Sequence, residues 1–271
     1  MMDSPFSMKS LLSRGVFIGL CFTLFQAQAF AKECTLRVGW EAWPPYMEKK
    51  ADGTMTGIDG EVAQKVLTSI GCKIIWKEVV WKRHLLQMKA GDLDVALGAS
   101  KTPDREKWGY FSRKPYRQET MALFVRKGEA PNFAISNIDD LSKLIGASKF
   151  KLGITLGYFY GDAFEAIKKQ KSLKKGIKIA NVDAKHYDYL TQKPKQIDGF
   201  FGDKYATVAG LKDKKMNGAV EVHKYTVNNN DIFMLFSKKS VPAETVNKAS
   251  QAIEKMENTD IKEILNKYSL Q

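Results

Sequence analysis

The apolar residues in the first half of the chain alternate between strand-like runs and stripes with helical spacing. Three runs have the length and composition of buried strands: residues 36–39, 74–76 and 94–97. Between them, apolar residues recur at helical spacing after Asp59, which we expect to be a helix N-cap, and again over residues 82–89. This β-α-β-α-β order predicts a parallel sheet with helices on both faces.

The same order recurs in the second half, with strands predicted at 151–155, 177–182 and 197–201 and helices at 160–169, 185–193 and 203–211. Two extended apolar runs, 121–125 and 232–236, frame this second unit, and two amphipathic helices follow them. We therefore expect an α/β fold of two lobes, each a mostly parallel sheet flanked by helices, joined by two hinge strands. Lobe 1 comprises residues 32–119 and 231–271, and lobe 2 comprises residues 120–230.

The N-terminus has the three regions of a secretory signal peptide. Lys9 and Arg14 form a short basic region before an apolar segment at 15–25, which is too short to span a bilayer comfortably, and a small-x-small cleavage pattern ends at Ala31. We therefore expect residues 1–31 to be removed and the mature protein to lie in the periplasm. A membrane anchor or a buried core helix is the alternative.

Two cysteines remain after the predicted signal peptide. Cys34 and Cys72 each stand just before a predicted strand, and neighbouring parallel strands would bring them side by side. In an oxidising compartment this arrangement predicts a disulfide, with two buried free thiols as the alternative.

The formal net charge of +13 first suggests a nucleic acid or an anionic surface as partner. The lysines are, however, spread along the chain, flank the predicted helices and lack interleaved aromatic residues. We interpret them as a solvated surface, which argues against nucleic-acid binding and leaves docking on an acidic membrane partner open.

Residues with useful chemistry follow the predicted strands, at the edge where open parallel sheets bind ligands. They are Glu41 and Trp43 after the first strand, Trp81 after the second, Gly98, Ser100 and Arg105 after the third, and Tyr158, Phe159 and Asp203 in the second half. Arg105 offers a planar fork that fits a carboxylate, and Asp203 offers a counter-charge for an ammonium. With flat aromatic faces beside them, these groups suit an amino-acid zwitterion.

Each of these residues also has a structural interpretation. The two tryptophans could belong to the core, and Arg105 could pair with its acidic neighbours at the surface. Asp203 is also a good helix N-cap, and Asp59 is expected to be a structural cap and not a ligand contact.

Several motifs carry a family resemblance: Gly57-Ile58-Asp59-Gly60-Glu61, Gly91-Asp92-Leu93-Asp94-Val95, Thr102-Pro103-Asp104-Arg105 and Tyr110-Phe111-Ser112. Through them the chain resembles the periplasmic amino-acid-binding proteins of ABC importers, the solute-binding protein family 3. The resemblance covers nearly the whole chain after the predicted signal peptide. It implies the periplasmic-binding-protein fold, with a ligand buried between the two lobes.

The resemblance also implies roles for the predicted site. Arg105 would bind the ligand α-carboxylate with help from Ser100 and Gly98, and Asp203 would receive the α-ammonium. The aromatic pair Trp43 and Trp81 would sandwich the ligand side chain. Glu41, at a polar position of the family, would influence which ligand side chain is accepted.

The sequence departs from the family in the second half. Where the family often has Gly-Thr-Thr, with a threonine that binds the carboxylate, residues 157–159 are Gly-Tyr-Phe. The hydroxyl is therefore missing or supplied by Tyr158 or Tyr160. Gly98 also replaces a serine of the first-lobe loop, so a bulkier or differently shaped carboxylate is a possible ligand.

These observations predict a monomeric binding protein without enzymatic activity, which delivers its ligand to an inner-membrane ABC permease. No cofactor or metal site is predicted. Two alternatives remain open: a periplasmic enzyme similar to cyclohexadienyl dehydratase, with Glu41 or Asp203 as its acid, and an accessory protein that presents the ligand to a signalling receptor.

Overall fold

The computed structural model describes residues 33–268, so the predicted signal peptide at 1–31 lies outside the described residues. In the first part of the chain the strands are β1 (Thr35–Trp40), β2 (Glu48–Lys49), β3 (Met55–Thr56), β4 (Lys73–Glu78), β5 (Val95–Ser100) and β6 (Gly109–Phe111). The helices among them are α1 (Ile58–Ser69), α2 (Trp81–Ala90) and α3 (Pro103–Trp108).

The second part contains β7 (Arg117–Arg126), β8 (Leu152–Thr155), β9 (Ile177–Ala180), β10 (Gly199–Asp203) and β11 (Val220–Ser237). Its helices are α4 (Ile138–Gly146), α5 (Asp162–Ile167), α6 (Ala184–Thr191) and α7 (Lys204–Asp213), and α8 (Ala243–Met256) and α9 (Asp260–Lys267) follow β11.

The main strands form one mixed sheet in the order β4-β1-β5-β11-β7-β10-β8-β9, with β6 paired to β11. The three strands at each end pair in parallel, as the alternating pattern of strands and helices predicted. The two central strands, β7 and β11, are antiparallel to each other and to their outer neighbours. The fold is therefore the expected α/β architecture, in which the parallel ends of the sheet are flanked by helices.

The central strands are longer than the apolar runs that predicted them. Strand β7 begins at Arg117 and β11 covers eighteen residues, and their pairing shifts register between Val222 and Thr226 and again before Asn228. The predicted lobe boundaries, at 119/120 and 230/231, fall inside these two strands, where Glu119 is paired with Asn230. Those boundaries stay a prediction.

The apolar residues form separate cores at the two ends of the sheet. One large core joins β1, α1, α8 and α9 and includes Val38, Leu67 and Ile253. A second core lies among β7, β8, β10, α4 and α5 and includes Phe150 and Phe201. Separate cores follow from the sequence, because each β-α-β unit buries its own helices against its own strands.

The start of α1 corrects one prediction. The N-cap is Gly57, with a positive φ of 91°, and Asp59 lies inside the first turn. A Cβ atom at Gly57 would lie 2.5 Å from the carbonyl oxygen of Tyr46, so only glycine fits there. Asp59 is therefore not the cap, and its buried carboxylate pairs with Arg117.

The predicted disulfide joins Cys34 to Cys72. Thr35 follows Cys34 and Lys73 follows Cys72, and these two residues are register partners in the parallel pair β1 and β4. This register places the two cysteines side by side, as expected. Within residues 33–268, no helix is long and apolar enough to cross a membrane.

Candidate functional site

One cavity brings together eight of the nine predicted ligand-binding residues. It has an empty volume of about 580 Å³, counting its mouth, and is bounded by the loop after β1, the start of α2, the end of β5, α3 and the loop after β8. The eight are Glu41, Trp43, Trp81, Gly98, Ser100, Arg105, Tyr158 and Phe159. Its lining by aromatic side chains and a few polar groups suits a small organic ligand.

Arg105 is held in the cavity wall by the short helix α3. Thr102 caps that helix by accepting a hydrogen bond from the Arg105 backbone N–H, and Pro103 occupies the first helical position. The Arg105 side chain is buried and donates to the Ser100 carbonyl at 2.7 Å and to the Gly157 carbonyl at 3.0 Å.

The surface alternative for Arg105 does not hold, because its acidic neighbours pair with lysines. Asp104 contacts Lys107 and Glu106 contacts Lys101. Burial lowers the pKa of Arg105 to about 10, so the guanidinium stays charged at neutral pH. It also lies over the Trp81 ring, with 5.4 Å between the guanidinium carbon and the ring centroid.

Gly98 and Ser100 line the cavity from the end of β5. Gly98 has a positive φ of 70°, and a Cβ atom there would lie 3.4 Å from Asp59 Oδ2 and 3.6 Å from the Trp43 ring. Its backbone N–H donates to the Tyr116 hydroxyl. Glycine therefore suits both the backbone conformation and the close packing beside the cavity.

The aromatic residues form two of the cavity walls. Trp43 packs edge-to-face with Tyr158, with 6.2 Å between ring centroids. Trp81 donates from its indole N–H to the Gly157 carbonyl at 3.1 Å, and its backbone N–H donates to Glu41 Oε1 at 3.2 Å. Both tryptophans are half-buried, and both face the cavity.

The hydroxyls of Tyr158 and Tyr160 could replace that of the threonine often found at this loop in the family. Both form hydrogen bonds within the second part of the chain. Tyr158 donates to Asp183 Oδ2 at 3.3 Å, and the Tyr160 hydroxyl accepts from the Thr155 backbone N–H at 2.7 Å. The Tyr158 ring, together with Phe159, lines the cavity.

Asp203 is the predicted site residue that does not line the cavity. It is fully buried and caps α7, since its Oδ1 accepts from the Ala206 N–H at 2.7 Å and from the Tyr46 hydroxyl at 3.0 Å. Its Oδ2 is buried and has no hydrogen-bond partner among residues 33–268. Burial raises the pKa of this carboxyl. Asp203 is thus a helix N-cap in the structure, which is the structural role that the sequence analysis offered as its alternative.

A buried ion pair beneath the cavity was not anticipated from the sequence. The Arg117 guanidinium contacts Asp59 through Nε at 2.7 Å and through Nη2 at 3.0 Å, and it lies 3.8 Å from the Tyr46 ring centroid. Asp59 raises the pKa of Arg117 well above its ordinary value despite its burial. The pair ties α1 to β7, and Asp59 is the member that lines the cavity.

Glu119 is a charged residue of the cavity wall that the sequence analysis did not predict. It is 3% exposed and lines the cavity from β7, with 3.7 Å between its Oε2 and Arg117 Nη1. Burial, together with the nearby Asp203, raises its pKa to about 8. The predicted strand began at Met121, whereas β7 begins at Arg117. Alternate residues of a strand lie on one face, so Arg117, Glu119 and Met121 share a face of β7. A prediction that began the strand at Arg117 would have placed these two charged residues on the same face as Met121.

Two more carboxyl groups at the site have raised pKa values. Burial and the charge of Asp183 raise the pKa of Glu41 to about 7. Burial raises the pKa of Asp183 to about 6, against the opposing effect of its hydrogen bond from Thr155. Two carboxyl groups that line the cavity, Glu41 and Glu119, therefore hold their protons more tightly than exposed carboxyl groups do.

Among residues 33–268, no group of three or more His, Cys, Asp or Glu side chains is placed to hold a metal ion. The groups that the cavity offers to a ligand are the Arg105 guanidinium and the carboxyl groups of Glu41 and Glu119.

Comparisons with known proteins show the family to which the chain belongs. The model of the bacterial extracellular solute-binding proteins, family 3, matches residues 36–271. The L-cystine-binding protein TcyJ of Escherichia coli strain K12 is 26% identical over 179 residues, which are 66% of this chain. The match covers 62% of TcyJ, less than two thirds of its length.

Solved structures give the same relationship. An ancestral arginine-binding protein bound to arginine is 26% identical, with a TM-score of 0.69 over 87% of this chain and 98% of its own. The ancestral amino-acid-binding protein AncCDT-1, a precursor of cyclohexadienyl dehydratase, is 22% identical, with a TM-score of 0.67 over 86% of this chain and 95% of its own. The latter similarity is one of fold.

Proposed function

Because the chain belongs to the bacterial extracellular solute-binding proteins of family 3, we propose that it captures a small amino-acid-like carboxylate in the periplasm. Lobe 1 (32–119 and 231–271) and lobe 2 (120–230) close on the ligand by movement about β7 and β11. The closed form delivers the ligand to an inner-membrane ABC permease. Closure by a hinge around a ligand is a common transition in binding proteins.

The observation that carries the proposal is the buried charge of Arg105. Its guanidinium lines the cavity and donates to two backbone carbonyls, and no carboxylate of residues 33–268 forms an ion pair with it. A buried charge without a counter-ion is costly, so a ligand carboxylate that reaches Arg105 would be strongly favoured. The Ser100 carbonyl accepts one of these hydrogen bonds, and Gly98 lines the same cavity.

The aromatic walls support the amino-acid part of the proposal. Trp43, Trp81, Tyr158 and Phe159 surround the space that a ligand side chain would occupy. Flat aromatic faces can pack on aliphatic or cationic groups alike. Cystine and arginine are the ligands named for two relatives, and both combine α-carboxylates with a side chain of several atoms.

Isothermal titration calorimetry of the mature protein against the L-amino acids tests this proposal. We expect at least one to bind with micromolar affinity or better, and its α-carboxamide analogue to bind about 10- to 100-fold more weakly, because the charge-assisted contact is lost. The absence of any binding tighter than millimolar across the set would overturn the proposal.

A second candidate function, dehydration of a prephenate-like substrate, is favoured by the raised pKa of Glu41. A carboxyl group with a pKa of about 7 inside the cavity retains a proton that it could donate to a leaving hydroxyl. Incubation with prephenate or arogenate, followed by the absorbance of the aromatic product, tests it. Turnover in the wild type that disappears in Glu41→Gln would support this enzyme over simple binding, and no turnover would remove it.

A further inference from the structure

We propose that Asp183 is a positioning residue of the ligand cavity, which holds the Tyr158 ring in the cavity wall through the hydrogen bond that it accepts from the tyrosine hydroxyl. This inference rests on the proposed function, because it concerns a wall against which a ligand packs. Asp183 itself does not line the cavity, and neither the sequence pattern nor the family resemblance singled it out.

Tyr158 connects the cavity to Asp183. Its ring lines the cavity and packs edge-to-face against Trp43, with 6.2 Å between the ring centroids. Its hydroxyl donates to Asp183 Oδ2, with 3.3 Å between the two oxygens. Burial raises the pKa of the tyrosine hydroxyl well above its ordinary value, so the hydroxyl keeps the proton that it donates. Tyr158 therefore presents its ring to a ligand, and its hydroxyl is used within the protein.

The Asp183 carboxylate is held from another side by Thr155. The Thr155 hydroxyl donates to Asp183 Oδ1, with 2.5 Å between the two oxygens. Thr155 ends β8 and Asp183 immediately precedes α6, so the contact ties the strand to the start of the helix. Both residues are buried. With one carboxylate oxygen occupied by Thr155, the direction of the other oxygen toward Tyr158 is fixed.

His186 completes a chain of donors that leads to Asp183. Its Nε2 lies 3.1 Å from the Thr155 hydroxyl oxygen. A threonine hydroxyl has one hydrogen, which Thr155 gives to Asp183, so its oxygen accepts from His186. Burial lowers the pKa of His186 to about 4, and a neutral imidazole with its hydrogen on Nε2 meets this requirement. The order of the hydrogen bonds makes Asp183 the acceptor at the end of the chain.

The partners of Asp183 indicate that its role concerns the cavity. No lysine or arginine of residues 33–268 forms an ion pair with its carboxylate, and burial raises its pKa to about 6. A buried carboxylate with neutral partners contributes little to the stability of a fold. Of the hydroxyls of Thr155 and Tyr158, only that of Tyr158 belongs to a residue of the cavity wall.

Tyr160, two residues further along the chain, shows the contrast. Its hydroxyl accepts the backbone N–H of Thr155 at 2.7 Å, and it does not line the cavity. The backbone therefore holds Tyr160 in place without a carboxylate. If Asp183 were removed, the Tyr158 hydroxyl would lose its partner, and the ring would be free to turn into the space of the ligand.

A double-mutant cycle tests the inference by calorimetry, with the L-amino acid that binds the wild type most tightly. Tyr158→Phe keeps the ring and removes the hydroxyl, and Asp183→Leu keeps a branched side chain without polar atoms. Because 3.3 Å is long for a hydrogen bond between two oxygens, we expect each change to weaken binding by about 3- to 10-fold. The double variant should bind about as tightly as the weaker single variant. The control is Asp188→Leu, the same change at an exposed position of α6, which should leave the affinity unchanged.

Variants of Thr155 separate positioning from a general effect on the fold. Thr155→Ser retains the hydroxyl that orients Asp183, and its affinity should stay within about 2-fold of the wild type. Thr155→Val keeps the branched shape without the hydroxyl and should lose about 3- to 10-fold. Thermal unfolding shows that each variant is folded. Equal affinities in the two variants would contradict a role of the Thr155 hydroxyl in orienting Asp183.

The ligand-free protein gives a second readout that needs no ligand. In nuclear magnetic resonance spectra, the indole N–H signal of Trp43, assigned with Trp43→Phe, reports the Tyr158 ring because the two rings pack edge-to-face. This signal should move in Thr155→Val and in Asp183→Leu and stay in place in Thr155→Ser. Trp76 on β4 serves as an internal reference.

The possible outcomes separate this inference from the proposed function. Additive losses in the double-mutant cycle, or an unchanged Trp43 signal in Asp183→Leu, overturn the role of Asp183 and leave the proposed function standing. No binding of any amino acid overturns the proposed function, and the Trp43 signal then decides by itself whether Asp183 positions Tyr158.

Discussion

The side chain of Arg105 donates a hydrogen bond to the backbone carbonyl of Gly157, with 3.0 Å between Nη2 and the oxygen. The indole N–H of Trp81 donates to the same oxygen at 3.1 Å. Arg105 and Trp81 come from the first part of the chain, whereas Gly157 follows β8 in the second part. Two residues of the proposed lobe 1 thus converge on one carbonyl of the proposed lobe 2, directly beside the cavity.

The position of Arg105 predicts a large loss of affinity when its charge is removed. We expect Arg105→Ala to weaken binding of the best amino-acid ligand by about 2–4 kcal/mol, or roughly 30- to 1000-fold, because a buried charge-assisted contact is lost. Calorimetry measures the change. Arg113→Ala is the control, since Arg113 is exposed and pairs with Glu254 away from the cavity. An unchanged affinity in Arg105→Ala would remove Arg105 from the site.

The buried ion pair between Asp59 and Arg117 predicts a strong effect on stability. Arg117→Met would leave the Asp59 carboxylate buried without its partner, and we expect the free energy of unfolding to fall by about 3–5 kcal/mol. Arg113→Met, which breaks a partly exposed pair, should cost about 1 kcal/mol or less. Urea unfolding of both variants measures the difference, and equal losses would contradict the buried role of Arg117.

The raised pKa of Glu119 predicts a dependence of stability on pH in the ligand-free protein. Since the folded pKa of about 8 lies above the ordinary value of 4.5, the folded state holds the proton more tightly than the unfolded state. The stability from Glu119 is fully present below about pH 4.5 and is lost as pH rises toward 8. Glu119→Gln cannot titrate and should gain a few kcal/mol relative to wild type over this window. Unfolding curves at several pH values check this, and parallel curves would contradict it.

The disulfide between Cys34 and Cys72 predicts a loss of stability on its removal. The two cysteines are 38 residues apart in sequence, and closing a loop of that length constrains the unfolded chain by about 4 kcal/mol. We expect the double variant Cys34→Ser and Cys72→Ser to lose stability of that order, as measured by urea unfolding without reductant. Under strong reductant the wild type should approach the variant, and a persisting difference would indicate another cause.

Local patterns in the sequence were sufficient for the repeated β-α-β units and for most of the cavity. Strand and helix periodicities depend on neighbouring residues, and parallel strands place their carboxyl ends at one edge of the sheet. Glu41, Trp81, Arg105 and Tyr158, which all follow strands, therefore meet in one cavity as predicted. The disulfide was predictable for the same reason, because both cysteines stand at equivalent positions before neighbouring strands.

Only the tertiary structure decided which charged groups face the cavity and which are already matched. Asp59 was expected to cap a helix, but it pairs with Arg117, 58 residues away, after β7 brings the two together. Asp203 was predicted either to contact the ligand or to cap a helix, and in the structure it caps α7 and does not line the cavity. The sequence by itself determined the elements and the edge of the sheet where a ligand binds, because those follow from local periodicity. The charge balance of the cavity depends on burial and on partners from distant segments, which are set only when the central strands pack.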